Sequence, residues 1–134
     1  DSILFDCPPS LGLLTLNALT AAHYLIIPVQ AQFLAMRGMA KITNVVATVR
    51  ERLNPALEIG GIVITQFDGR KTLNKSVAEL VKDAFCDKVF QTVIRDNVSL
   101  AEAPIKGKDI FEYSRNSNGA KDYMALAQEV LKLK

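Results

Sequence analysis

The sequence predicts an α/β fold, a mostly parallel sheet with helices on both faces. Two observations carry this. Short runs that are apolar at every position alternate along the chain with longer stretches whose apolar residues recur every three or four positions. Strands apolar on both faces belong to parallel sheets covered by helices. A third observation bounds the fold: there is no internal repeat, low-complexity tract or linker, so residues 1–134 are expected to form one domain.

Ser2 to Phe5 is the first apolar run. It ends at Asp6-Cys7-Pro8-Pro9, which predicts a buried strand and then a turn. Ser10 is placed to cap a helix over 11–21 whose only polar residues are Thr15, Asn17 and Thr20, so that helix is expected to be buried on most sides. Tyr24 to Gln30 predicts a second buried strand, with Pro28 near its end and a loop from Gln30 to Phe33. Met39, Ile42, Val46, Val49 and Leu53 then mark a long amphipathic helix that Asn54-Pro55 terminates. A third strand is expected over 59–65, with a turn at Asp68-Gly69. The next helix carries the stripe Leu73, Val77, Leu80, Val81 and Ala84; a short fourth strand covers 89–94. A last helix from about Ser117 carries Ala120, Tyr123, Ala127, Val130 and Leu131. The stretch from Pro104 to Asn118 reads as irregular.

With 49% hydrophobic and 22% charged residues, the 134-residue chain has the composition of a globular unit rather than a disordered or collagen-like one. Its longest apolar run, Tyr24 to Val29, is far short of the ~20 residues a membrane-spanning helix needs, and cytosol is the default compartment. Cys7 and Cys86 have the spacing of neither a disulfide framework nor a zinc site and are expected to be buried thiols. His23, with no metal ligand or nucleophile near it in sequence, reads as a packed or surface residue. The net charge of +2 does not by itself identify a nucleic-acid binder, but Arg70, Lys71 and Lys75 cluster at one loop. They suit phosphate contacts, or form a solvated charged face.

In an open parallel sheet, ligands bind beyond the carboxyl ends of the strands, so Asp6–Ser10, Gln30–Phe33, Gln66–Lys71 and Arg95–Leu100 are the segments to examine. An acid leaving a buried strand is placed to hold magnesium through water. Asp6 has that position; the alternative is an aspartate that satisfies the backbone of the Pro-Pro turn.

The string Ile-Leu-Phe-Asp-Cys-Pro-Pro-Ser-Leu-Gly-Leu-Leu-Thr-Leu-Asn-Ala-Leu, from Ile3 to Leu19, closely resembles the Walker B segment of ParA/Soj-type partition ATPases, the deviant-Walker family that also contains MinD. Three further blocks follow in order. Ile27-Pro-Val-Gln30 with Phe33 and Gly38 resembles the family's Pro-Val-x-x-Glu-Tyr block, and Ile62 to Arg70 its Thr-x-x-Asp-x-Arg segment. Asn97-Val98 with Leu100 to Pro104 resembles its Pro-Arg-Asn-Val-Arg-Leu-x-Glu-Ala-Pro segment.

This resemblance implies a P-loop NTPase-like fold truncated at its N-terminal side, in the C-terminal part of a ParA-like ATPase domain. It also implies an ATP- and magnesium-dependent switch for plasmid or chromosome partition. Two protomers sandwich nucleotide, bind DNA without sequence preference, and are reset by hydrolysis stimulated by a centromere-binding ParB-like partner. The implied location is cytoplasmic and nucleoid-associated, without a membrane partner. Asp6 matches the Walker B acid. Thr65, Gln66 and Asp68, with Ile94, Arg95 and Asn97, fall in segments that flank the adenine, and Arg70 matches a position that contacts DNA phosphates. The family's glycine-rich lysine loop and water-positioning aspartate lie upstream of the segment that residues 1–10 resemble. No catalytic residue is therefore expected in this chain, which alone should neither hydrolyse ATP nor bind it tightly.

Three positions depart from the family pattern: Ser99 stands in place of an arginine, Arg95-Asp96 in place of Pro-Arg, and Gln32 where glutamate is common. Two rivals remain. A MinD-like ATPase would end in a basic amphipathic membrane helix, for which Val130 to Lys134 is too short; a non-catalytic α/β interaction module would never have had a phosphate loop. Without leading strands, the sheet edge and one side of the helix over 11–21 should be exposed and should promote self-association.

Overall fold

The computed structural model describes residues 2–8, 10–32 and 35–133. Its sheet has three parallel strands, β1 (Tyr24–Gln30), β2 (Glu58–Phe67) and β3 (Val89–Arg95), in the order β1-β2-β3. The helices are α1 (Leu13–Ala21), α2 (Ala35–Arg52), α3 (Thr72–Phe85), α4 (Val98–Ile105), α5 (Ile110–Ser114) and α6 (Asn118–Val130). Successive residues of β2 point to opposite faces and both are filled. Ile62 and Ile64 pack with Ile27 and Val29 beneath Met39 of α2 and Val77 and Val81 of α3. On the other face, Val63, Phe90 and Ile94 meet Leu100 of α4 and Leu126 and Val130 of α6. Helices thus cover both sides, as the apolar strands predict.

The glycine pair in the central strand has a packing cause. Leu25 lies opposite Ile59 but Ile26 lies opposite Gly61, so Gly60 is an extra residue at a bulge. A Cβ at Gly60 would come within 3.0 Å of the Tyr24 Cβ, and one at Gly61 would overlap the Phe90 ring.

Several expectations are corrected. Residues 2–8 do not form a strand: Ile3 and Leu4 are 83% and 85% exposed. A strand needs a partner for its N–H and C=O groups, and among the described residues β1 pairs only with β2. Without that neighbour α1 loses its expected cover. Only Thr15 and Leu19 are buried on it and Leu13 and Leu14 are open to solvent; Leu19 packs with Val46 and Val49 of α2 and with Leu57, and the Asn54 amide donates to the Leu19 and Ala22 carbonyls. Its N-cap is Gly12 rather than Ser10, whose carbonyl instead accepts the Thr15 hydroxyl at 2.7 Å.

Both cysteines are exposed rather than buried, Cys7 in the irregular leading segment and Cys86 at the end of α3 with φ 44°. The buried face of α3 is Asn74, Val77, Ala78 and Val81, which leaves Leu73 and Leu80 about half exposed. On α6, Tyr123 and Leu131 face out because the docked side carries two carboxylates, Asp122 and Glu129, that bond to β3. The stretch expected to be irregular contains α5, and α4 ends inside it; Asp109 caps α5 by accepting from the Phe111 and Glu112 N–H groups.

Candidate functional site

Parallel strands deliver their following loops to one end of the sheet, and here hydrogen bonds join the three loops. The Ala31 N–H donates to the Thr65 carbonyl at 3.1 Å, and the Asp96 N–H to the Phe67 carbonyl at 3.1 Å. Asn74, buried in the first turn of α3, accepts the Asp68 N–H at 2.9 Å and donates to the Ala31 carbonyl at 2.6 Å. A single amide therefore spaces the β1 and β2 loops. Gln66, with φ 51°, holds a left-handed backbone conformation at the close of β2, a strain of the kind that clusters at functional sites.

Beyond that kink lies the charged turn. The Asp68 carboxylate accepts from the Arg70 backbone N–H at 3.0 Å, from Nε at 3.0 Å and from Nη2 at 3.1 Å, with Lys71 Nζ at 3.8 Å. The Arg70 side-chain hydrogen bonds, and then its backbone N–H, hold Asp68 well below the usual carboxylate range, at about 2. The Arg70 side chain is nonetheless 92% exposed, and Lys71 and Lys75 are exposed beside it. The three cations expected to meet phosphate do gather at the start of α3, but Arg70 is already engaged.

At the end of β3 the side chains divide. Ile94 points into the core. Arg95 turns to α6, where Asp122 accepts from its backbone N–H and its guanidinium. Asn97 caps α4 by accepting the Ser99 N–H at 2.9 Å, which places Ser99 in that helix's first turn. Asp6 lies in the exposed leading segment, and no strand among the described residues carries it to this end of the sheet. Gln32 is exposed, whereas Phe33 lies outside the described residues.

Sequence reasoning passed over Asn74, Asp122 and Glu129. Each lies on the same helical face as buried apolar neighbours, and a polar residue at such a position signals a partner across the interface.

Two concavities adjoin these elements. One, of about 240 Å³, is lined by Pro28, Gln30, Gln32, Gly38, Met39 and Ile42 at the outer side of β1. The other, about 650 Å³ between α1 and α2, is larger but lies away from the loop cluster and is mostly apolar. A magnesium triphosphate requires several converging cations or N–H donors. Among the described residues at the strand ends, Arg70 and Arg95 are paired and the smaller concavity offers only amides. This donor set does not fit the phosphates.

Loops joined at the carboxyl end of a helix-covered parallel sheet define an α/β fold of the P-loop NTPase-like class. A family model described as an AAA domain matches residues 1–59. By sequence the chain is similar to the ParA/Soj partition ATPases. It is 49% identical over 130 residues to the sporulation initiation inhibitor protein Soj of Bacillus subtilis, covering 97% of this chain and 51% of that protein. It is 43% identical to the chromosome partitioning protein ParA of Myxococcus xanthus, covering 98% of this chain and 47% of that protein. The chain thus spans about half the length of the curated relatives it matches.

Among solved structures it is similar to cobyrinic acid a,c-diamide synthase of Mycobacterium smegmatis with bound ADP and magnesium. The TM-score is 0.74 at 34% identity, over 95% of this chain and 44% of that one. The cell division ATPase MinD of Pyrococcus furiosus, at 24% identity, TM-score 0.74, and 96% and 51% coverage, shares the fold.

Proposed function

We propose that this chain is the C-terminal part of a ParA/Soj-like partition ATPase, a dimerising switch that holds ATP and magnesium and binds DNA without sequence preference. The carrying observation is the joined loop cluster. The Thr65–Asp68 and Ile94–Asn97 segments, which flank the base in this reading, share a hydrogen bond between Phe67 and Asp96, and the Arg70–Lys71–Lys75 turn projects next to them. Nucleotide and phosphate-backbone contacts are then neighbours, which suits a switch that couples one to the other. Asp6 is the magnesium-associated acid once a partner strand orders its segment. A centromere-binding ParB-like protein is the partner that stimulates hydrolysis, and the site of action is the nucleoid in the cytoplasm. No helix among the described residues is long and apolar enough to cross a membrane.

The 134 residues alone are expected to be inactive, since their donors do not suit a triphosphate. Calorimetry showing micromolar magnesium-ATP affinity for this polypeptide would overturn that. The DNA reading is tested in the intact protein with ATP and magnesium. Changing Arg70, Lys71 and Lys75 together to alanine should abolish retention of random-sequence duplex and flatten its salt dependence. Unchanged binding would refute the patch.

A further inference from the structure

The contact within the basic turn has a regulatory consequence. Asp68 presents two oxygens to the Arg70 fork, the same planar, bidentate arrangement a DNA phosphate would offer. Its place does not depend on Arg70, because the Asp68 N–H is held by buried Asn74 and through it by Ala31. Arg70 is the exposed partner, with its side chain 92% in solvent, whereas that of Asp68 is 12% exposed. Asp96, whose N–H donates to the Phe67 carbonyl, adds a weaker electrostatic pull that favours the charged form of Arg70. Asp96 and Ser99 stand where relatives of this type were expected to carry basic residues, so two acids oppose three cations here.

We propose that Asp68 is an internal surrogate for phosphate that occupies Arg70 and sets the affinity of this turn for DNA. Duplex backbone binds by displacing the carboxylate from the guanidinium. Arg70 then swings outward while Asp68 stays in place, keeping the Arg70 backbone N–H and Lys71 as partners. The loop keeps its shape through the exchange, and release needs only that Arg70 return. This rests on the reading of Arg70, Lys71 and Lys75 as the phosphate-contacting surface.

The test is fluorescence anisotropy of a random-sequence duplex against the intact protein with ATP and magnesium, over a series of salt concentrations. Asp68→Asn keeps the oxygen that accepts the Arg70 backbone N–H and removes the charge. It should bind DNA about two- to five-fold more tightly, the range expected for freeing one exposed ion pair. Its log-log salt slope should stay close to that of the unsubstituted protein, because Arg70 meets the same phosphate in both complexes. In an Arg70→Ala background the same change should give no gain.

A gain that persists without Arg70 would be a general charge effect and would overturn the proposal. So would no gain at all in Asp68→Asn while Arg70→Ala alone weakens binding, an outcome that leaves the DNA reading intact. Binding indifferent to alanine at Arg70, Lys71 and Lys75 together would instead remove the DNA reading, and the surrogate with it.

Discussion

Asp122 accepts three N–H groups of Arg95: the backbone N–H at 3.0 Å, Nε at 2.9 Å and Nη2 at 2.6 Å. This pair closes the outer edge of β3 where the strand enters the loop that carries Asn97. Asp122→Ala leaves a part-buried N–H without an acceptor and removes a charge-assisted fork. A loss of about 2–3 kcal/mol in urea unfolding is expected. Arg95→Ala strands a carboxylate that is only 10% exposed and should cost a similar amount. The double variant should lose clearly less than the two losses combined, because one interaction is being removed twice. Additive losses would mean the pair is not coupled.

Acid should loosen the same edge. Burial pushes Asp122 and Glu129 upward, but hydrogen bonds from Arg95 to the first and from Thr92 and Gln91 to the second outweigh it, so both lie below their ordinary values. A carboxylate depressed in the folded state contributes stability that is complete above its unfolded value and lost as pH falls through the folded one. With unfolded values of about 3.9 for Asp and 4.3 for Glu, the contribution should be flat above about pH 5 and decline below it. Urea midpoints at pH 7, 5, 4 and 3 should show this. Glu129→Gln should start lower and fall less, and an equal fall in both proteins would count against the assignment.

Asn74 joins two loops through two hydrogen bonds while 7% exposed. Its replacement by alanine leaves the Asp68 N–H and the Ala31 carbonyl without their partner, and about 2–3 kcal/mol of destabilisation follows if water does not enter. Hydrogen exchange is the sharper measurement: the Asp68 amide should exchange faster, while amides in the middle of β2 should slow or speed only with global stability. Unchanged exchange at Asp68 would show that the amide is held some other way.

The alternation of apolar runs and helical stripes was enough to read the fold class, three of the strands and the long helices. That pattern reports burial, and burial dominates those elements. It misread Ser2–Phe5, because an apolar run becomes a strand only when a neighbour accepts its backbone. It also misplaced the faces of α3 and α6. Periodicity weighs Leu73, Leu80, Tyr123 and Leu131 as core, whereas Asn74, Asp122 and Glu129 take the docked positions by bonding to backbone that a sequence does not display. In the site, the charges of Arg70, Lys71 and Lys75 were visible as a cluster. The engagement of Arg70 by Asp68 two residues earlier was not, since it depends on the turn between them.

Cys86 has φ 44° and ψ −115° at the end of α3, a backbone region that essentially only glycine occupies without cost. Helices commonly end on glycine for this reason. Its thiol is exposed and makes a weak donation to the Asp83 carbonyl at 3.6 Å, so little is lost with the side chain. Cys86→Gly should therefore stabilise the chain, by about 1 kcal/mol once the greater freedom of glycine in the unfolded state is set against the relieved strain. Cys86→Ala removes the same thiol but keeps a Cβ and should show no gain. The comparison is made by urea unfolding, where the glycine variant should raise the midpoint with an unchanged slope. Equal midpoints for the two variants would show that the strain at this helix end is not felt.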